Sequence, residues 1–286
     1  QYKNSLNIQP PAIPMLNGDE YVILQLEQLH NARGNFEVPD EIAYNADYQD
    51  FNNYNKNTDW LEAITQNGVT HDHYFALSGG GDKTRYSASF SWVGETGTTI
   101  NTGNKQFSTR INLDYILSKK LMYSVLFSYI NKNTDRNIDI DDNNLRKMAY
   151  IKAPNMSIWE YDQNNELTGE YFTPINSYQG NGEAYFNPVA IGNLGRNNRK
   201  EHSLENTFRL RYIITDWLRF RQTVSFQFQG YKQNVFIPYN ALGIDWLHWR
   251  VNLNEEKNNL SSNIRTESQF IFNAPTNEKI HDLSGA

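Results

Sequence analysis

The residues most capable of chemistry in this chain of 286 residues lie in three small clusters. Each falls short of a reactive site. His71 and His73 stand two apart, so on a strand both imidazoles share one face and could pair on a metal. No third ligand follows them, and a strand-end pair is the simpler reading. Asp139-x-Asp141-x-Asn143 copies the opening of a calcium loop. That loop then needs Gly and a later Glu, but Asn144 and Tyr150 stand there, so Asp141 and Asp142 read better as helix caps. Gly79-Gly80-Gly81 has no Lys-Ser/Thr after it and opens no helix, so it reads as a tight turn rather than a phosphate cradle. No paired carboxylates and no nucleophile with its base are visible. No catalytic residue, metal or cofactor is therefore expected, and the chain does not read as an enzyme.

Binding chemistry is better represented. Trp159, Tyr161, Tyr171, Tyr178, Tyr185, Tyr239, Trp246 and Trp249 lie in stretches rich in Asn, Gln and Asp. Flat rings beside amides suit sugars, which offer apolar C–H faces and many hydroxyls. These eight are the substrate-contact candidates. Packing of long loops, or contact with a partner protein, is the competing use. Arg85, Arg110, Asp114, Arg209, Arg211, Arg219, Arg221, Arg265 and Glu267 fall among Ser, Thr, Asn and Gln at every second position. The arginines suit guidance of anionic groups or pairing with Asp114, Glu205 and Glu267, and pairing is favoured.

The elements that hold these residues are strands. Period-two alternation runs through several segments. From Thr84, Tyr86, Ala88, Phe90 and Trp92 alternate with Arg85, Ser87, Ser89 and Ser91. Residues 104–118, 120–131, 202–214, 217–229 and 260–272 repeat the pattern, and 1–8, 71–79 and the last residues carry it weakly. Short connections at Gly79–Asp82, Ser118–Lys119, Thr215–Asp216 and Ala274–Lys279 alternate with long ones over about 10–70, 94–103, 131–200 and 231–260. In an up-and-down sheet this trims one side and loads the other, as in outer-membrane barrels. An apolar band about 25 Å tall, crossed at about 40°, needs strands of roughly 10 residues, which the alternating runs supply. Trp92, Tyr115, Tyr212 and Trp217 near the apolar-face ends suit an interfacial belt. Leu16–His30 is predicted to be a helix capped by Asn17 or Asp19, with a second helix over Leu145–Ile151.

Composition agrees without deciding. A mean hydropathy of −0.71 and the lack of any run near 20 apolar residues exclude a transmembrane helix but not a barrel. Absent cysteine excludes disulfides and thiolate metal sites. A net charge of −6 argues against nonspecific nucleic-acid binding. The chain opens on Gln1 and closes on HDLSGA, which looks like the start of another strand, so it reads as an internal piece. The fold class is all-β, part of an antiparallel transmembrane barrel. A soluble or surface β-rich glycan-binding module, with the apolar face in its core, is the alternative, and a passive porin the third.

Four stretches carry a resemblance. NTDWLEAITQNG (57–68), LSGGGDKTRYSASFSWVGETG (77–97), FSTRINLDYILSKKL (107–121) and NPVA (187–190) resemble SusC/RagA-type TonB-dependent transporters. QPPAIPMLNGDEYV (9–22) is similar to the family's passage from first strand to first loop. The resemblance implies a Gram-negative outer-membrane barrel of about 22 strands with a plugged lumen. Residues 1–286 would form roughly the first nine strands of that barrel domain, with TonB box, plug and later strands outside them. It also implies contact with lipid and with TonB through another part of the protein. A SusD-like lipoprotein would act as lid, and glycan or peptide fragments would be the cargo.

Overall fold

The computed structural model describes residues 1–9, 12–32, 37–140, 144–174, 186–243, 252–273 and the backbone of 284–285. Its main element is a nine-stranded antiparallel sheet. The strands are β1 (Tyr2–Asn7), β2 (Gly68–Gly80), β3 (Thr84–Thr96), β4 (Gly103–Ser118), β5 (Leu121–Arg136), β8 (Arg196–Ile213), β9 (Leu218–Ile237), β10 (Leu253–Asn273) and β11 (Ser284–Gly285). Their spatial order is their chain order. A two-stranded hairpin, β6 (Trp159–Tyr161) and β7 (Leu167–Tyr171), interrupts the numbering inside one long loop. Short turns near 81–83, 119–120 and 214–217 lie at one end, and loops 8–67, 97–102, 137–195 and 238–252 at the other.

Several strands outrun their alternating segments. β9 has 20 residues and β10 has 21. The extra length lies at the loop end, where Asn131–Arg136, Arg196–Glu201 and Leu253–Asn259 still pair across strands. Both faces there carry polar residues, so period two fades while the backbone ladder continues.

The register lines side chains into rows across the sheet. On the apolar face one row runs Tyr2, His73, Trp92, Phe107, Asn131, His202, Gly230, Leu260. The next row toward the loops runs Asn4, His71, Gly94, Lys105, Asn133, Lys200, Lys232, Asn258. Toward the short turns the face is aromatic, as in the row Leu121, Tyr212, Phe220, Phe270. No described residue covers this face. Phe90, Phe226 and Phe228 remain 40%, 41% and 38% exposed, and Ile264 69%. A soluble sandwich would bury these residues and leave Arg219 and Arg221 outside. The described residues do not show that packing.

The buried core lies in the loops instead. Tyr54, Trp60, Ile64, Leu145, Met148, Met156, Phe172, Phe186 and Ile191 form one cluster with Ile237 and Leu242 at the loop end of the sheet. Among the described residues, six helices contribute to this loop cap: α1 (Gly18–Asn31), α2 (Phe51–Tyr54), α3 (Trp60–Ala63), α4 (Leu145–Ile151), α5 (Pro188–Leu194) and α6 (Tyr239–Leu242). Asn17 caps α1 in a full capping box with Glu20, as the sequence allows. Asn144 caps α4, accepting from Lys147 N at 2.8 Å, in place of the expected Asp141 or Asp142. Asp141 and Asp142 lie outside the described residues, as does Asn143 of the calcium-like run.

Candidate functional site

The loop cap is held by side-chain clamps on backbone groups. The Thr58 hydroxyl donates to Met156 O at 2.6 Å, and Trp60 Nε1 donates to Ala153 O at 2.9 Å. Lys56 N and Thr58 N bond to Asn155 O and Pro154 O. The first long loop is thereby zipped to the third. Asp59 adds the cap of α3 through Glu62 N at 2.9 Å. Asn53 clamps the hairpin, giving one hydrogen bond to Tyr161 O at 2.9 Å and taking one from Tyr161 N at 2.7 Å. Asn187 is fully buried and makes four bonds. It donates to Ile158 O and Phe172 O at 2.8 and 3.0 Å and accepts from Val189 N and Ala190 N at 3.1 Å. Lys152 is buried within this core, its ammonium 5.9 Å from the Trp60 ring centroid. Burial pushes its pKa down to about 7.

Four of the eight aromatic candidates fall on described residues. Trp159 and Tyr171 stack at 4.4 Å between centroids, with Trp159 on the surface. The Tyr171 hydroxyl accepts from Asn193 at 3.0 Å, and Asn193 in turn accepts from Asn101 at 2.8 Å. This ring-and-amide line leads into a polar cleft of about 390 Å³ between Glu95, Asn101, Asp135, Arg136 and Asn193–Asn197. Tyr161 shares the hairpin, but Lys56 Nζ covers its ring at 4.0 Å. Burial lowers the Lys56 pKa. Tyr239 stands exposed on α6, in another loop. Tyr178, Tyr185, Trp246 and Trp249 lie outside the described residues. Asn101 and Asn193 are absent from the sequence-derived set. Their one local signal is the left-handed backbone of Asn101, φ 55°, which suits an Asn in a turn.

On the polar face one row holds Arg85, Asp114, Ser124, Arg209, Thr223 and Glu267, and the next holds Met122, Arg211, Arg221 and Gln269. Arg110 lies higher, between Ser89 and Ser128. Arg219 lies lower, between Ile213 and Ile271. The expected pairing is mostly unmade. Arg265 meets Glu267 at 3.5 Å. Arg221 donates to Gln269 at 3.3 Å, and Arg211 points to Met122 Sδ at 3.2 Å. Arg211 and Arg221 stand directly opposite one another. Arg85 faces Asp114 in register without an ion pair among the described residues. The reason is alternation itself: it puts arginines on one face of neighbouring strands without ensuring that an acid stands opposite.

His71 and His73 do share a strand face. His71 bonds to Asn4 at 2.7 Å, and His73 lies between the rings of Tyr2 and Trp92. Among the described residues no three His, Cys, Asp or Glu converge as a metal site.

No family model matches the sequence. A TonB-dependent receptor of Formosa agariphila is 23% identical over 227 residues, covering 79% of this chain and 20% of that protein. The TonB-dependent receptor SusC of Bacteroides thetaiotaomicron is 22% identical over 237 residues, covering 78% of this chain and 23% of that protein. Among solved structures, the RagAB peptide importer in its open-open state aligns with a TM-score of 0.68 at 15% identity, over 99% of this chain and 32% of that one. Its closed-closed state gives 0.64 at 16% identity, with 99% and 33% covered. The chain thus spans about a fifth of the curated relatives it matches and about a third of the solved chains. With its collinear motifs and a sheet of matching fold, it is similar to the SusC/RagA type of TonB-dependent transporter and shares the fold of one stretch of that barrel.

Proposed function

We propose that residues 1–286 form one stretch of barrel wall, with its outward loops, in an outer-membrane importer of nutrient oligomers. The observation that carries this reading is the separation of packing. The sheet leaves its aromatic face bare while the buried core sits in the loop cap. A face of this kind has lipid as its natural solvent. The polar face, with Arg85, Arg110, Asp114, Arg209, Arg211, Arg219, Arg221, Arg265 and Glu267, then lines the lumen.

The full-length protein would draw energy from TonB and work beneath a SusD-like lipoprotein, moving glycan or peptide fragments. The Trp159–Tyr171 stack beside Asn193 and Asn101 is the first contact proposed for cargo, its ring face taking an apolar surface and its amides the hydroxyls or peptide groups. The test is uptake of labelled oligomers by cells carrying the full-length gene. Loss on gene deletion, and at least a tenfold weaker apparent affinity for Trp159→Ala with unchanged surface abundance, are expected. Unchanged uptake on deletion overturns the importer reading. Normal affinity in Trp159→Ala overturns the contact alone.

A further inference from the structure

The two ends of the apolar face differ in charge. At the loop end, the row beyond the Trp92–Phe107 aromatics carries Lys105, Lys200 and Lys232, with His71 on the same row. Neither that row nor the aromatic row below it holds a carboxylate. Carboxylates return one row farther out, at Asp135 and Glu256. Asp135 is taken by Asn198 at 2.6 Å, and Glu256 pairs with Lys232 at 2.9 Å. Lys105 and Lys200 have no ion-pair partner among the described residues. Lys200 and Lys232 stand directly opposite one another, a like-charge pair that Glu256 relieves on the Lys232 side alone. At the short-turn end the rows ending in Ser268 and Phe270 carry no charge.

We infer that Lys105, Lys200 and Lys232 form a girdle binding the phosphate groups of lipids in the leaflet on the loop side. The inference rests on the membrane reading above. Two residues along a strand is roughly 7 Å, so the lysines stand one head-group layer beyond the aromatics that mark the interface. Their stems can lie along apolar surface while the ammonium reaches the head groups. The lysines spread over three strands, β4, β8 and β9, rather than converging on one point. A row of lipid head groups matches that layout, and a single free anion does not.

The test uses the full-length protein extracted from its own outer membrane, with bound phosphorylated lipid counted by native mass spectrometry. The triple variant Lys105→Gln/Lys200→Gln/Lys232→Gln is compared with Lys83→Gln/Lys119→Gln/Lys120→Gln at the short turns. The girdle variant should retain about tenfold less phosphorylated lipid, and the turn variant should match wild type. Millimolar inorganic phosphate should displace none of it. Equal retention in the two variants, or displacement by inorganic phosphate, overturns the inference. Should the triple variant not fold, as read by heat-modifiable mobility, Lys200→Gln against Lys200→Arg decides: loss in the first and retention in the second support it, and parity overturns it. If the wild type inserts normally yet carries no phosphorylated lipid, the girdle alone fails. If it does not insert, the membrane reading fails.

Discussion

Asn187 offers the sharpest test of how the loop cap is held. Its side chain is fully buried, and all four of its hydrogen-bonding positions are used. Asn187→Ala removes the cap of α5, which costs about 1 kcal/mol. It also strips Phe172 O of its Asn187 donor inside the core, which costs about 1–3 kcal/mol. Ile158 O loses one donor but keeps Phe172 N at 3.1 Å, so its share is about 0.5–1 kcal/mol. The total is about 2.5–5 kcal/mol, equivalent to roughly a hundredfold rise or more in the opening equilibrium. Hydrogen exchange reads this directly. Amides of α4 and α5 should exchange at least a hundredfold faster, while the β3–β5 ladder keeps its rates, because no residue of those three strands belongs to the cap core. Asn187→Asp keeps the cap acceptor but turns a buried carboxylate toward two carbonyl oxygens, so it should open the cap at least as much as Asn187→Ala. A change below about tenfold at α5, or equal loss of protection in the sheet, would refute this account of the cap.

Two further outcomes follow from the same packing. Phe226→Arg puts a guanidinium on the bare apolar face and should cost about 2–4 kcal/mol of folding free energy in a bilayer. Gln227→Arg, one residue on and facing the other way, should cost little; urea titration of the folded, heat-modifiable species compares them. The Lys152 ammonium loses its proton near pH 7 in the fold, but only near 10.4 in the unfolded chain. Between those values the unfolded state holds more protons, so cap stability should rise with pH, by at most about 1.4 kcal/mol per unit. Below about pH 7 both states are charged, and the burial penalty is fully present. Denaturation of the cap at pH 7 and pH 9.5 measures the slope, and Lys152→Met should flatten it.

Alternation at Tyr86–Trp92, at Phe107–Leu117 and at Leu218–Phe228 was enough to place strands and to sort their faces. The alternating loop lengths were enough to put the long connections at one end of the sheet. The motifs were legible as resemblance, but their work was not. Thr58, Asp59, Trp60 and Asn187 bind backbone groups about 15 to 98 residues away or cap a helix in place, and nothing local in a sequence records such partners. The strand ends beyond Asn131 and Tyr231 were hidden because the alternation lapses into polar runs there, at Asn131–Arg136 and Lys232–Asn234.

The sequence by itself determined that this chain forms long two-faced strands with trimmed turns at one end, because period two and turn chemistry are local properties. Only the tertiary structure decided which residues meet. It put the buried core in the loops, left Arg211 facing Arg221, joined Trp159 to Tyr171, Asn193 and Asn101, and drew three lysines into one row. Those outcomes depend on register and loop closure, and one residue's slip in either would pair different side chains from the same sequence.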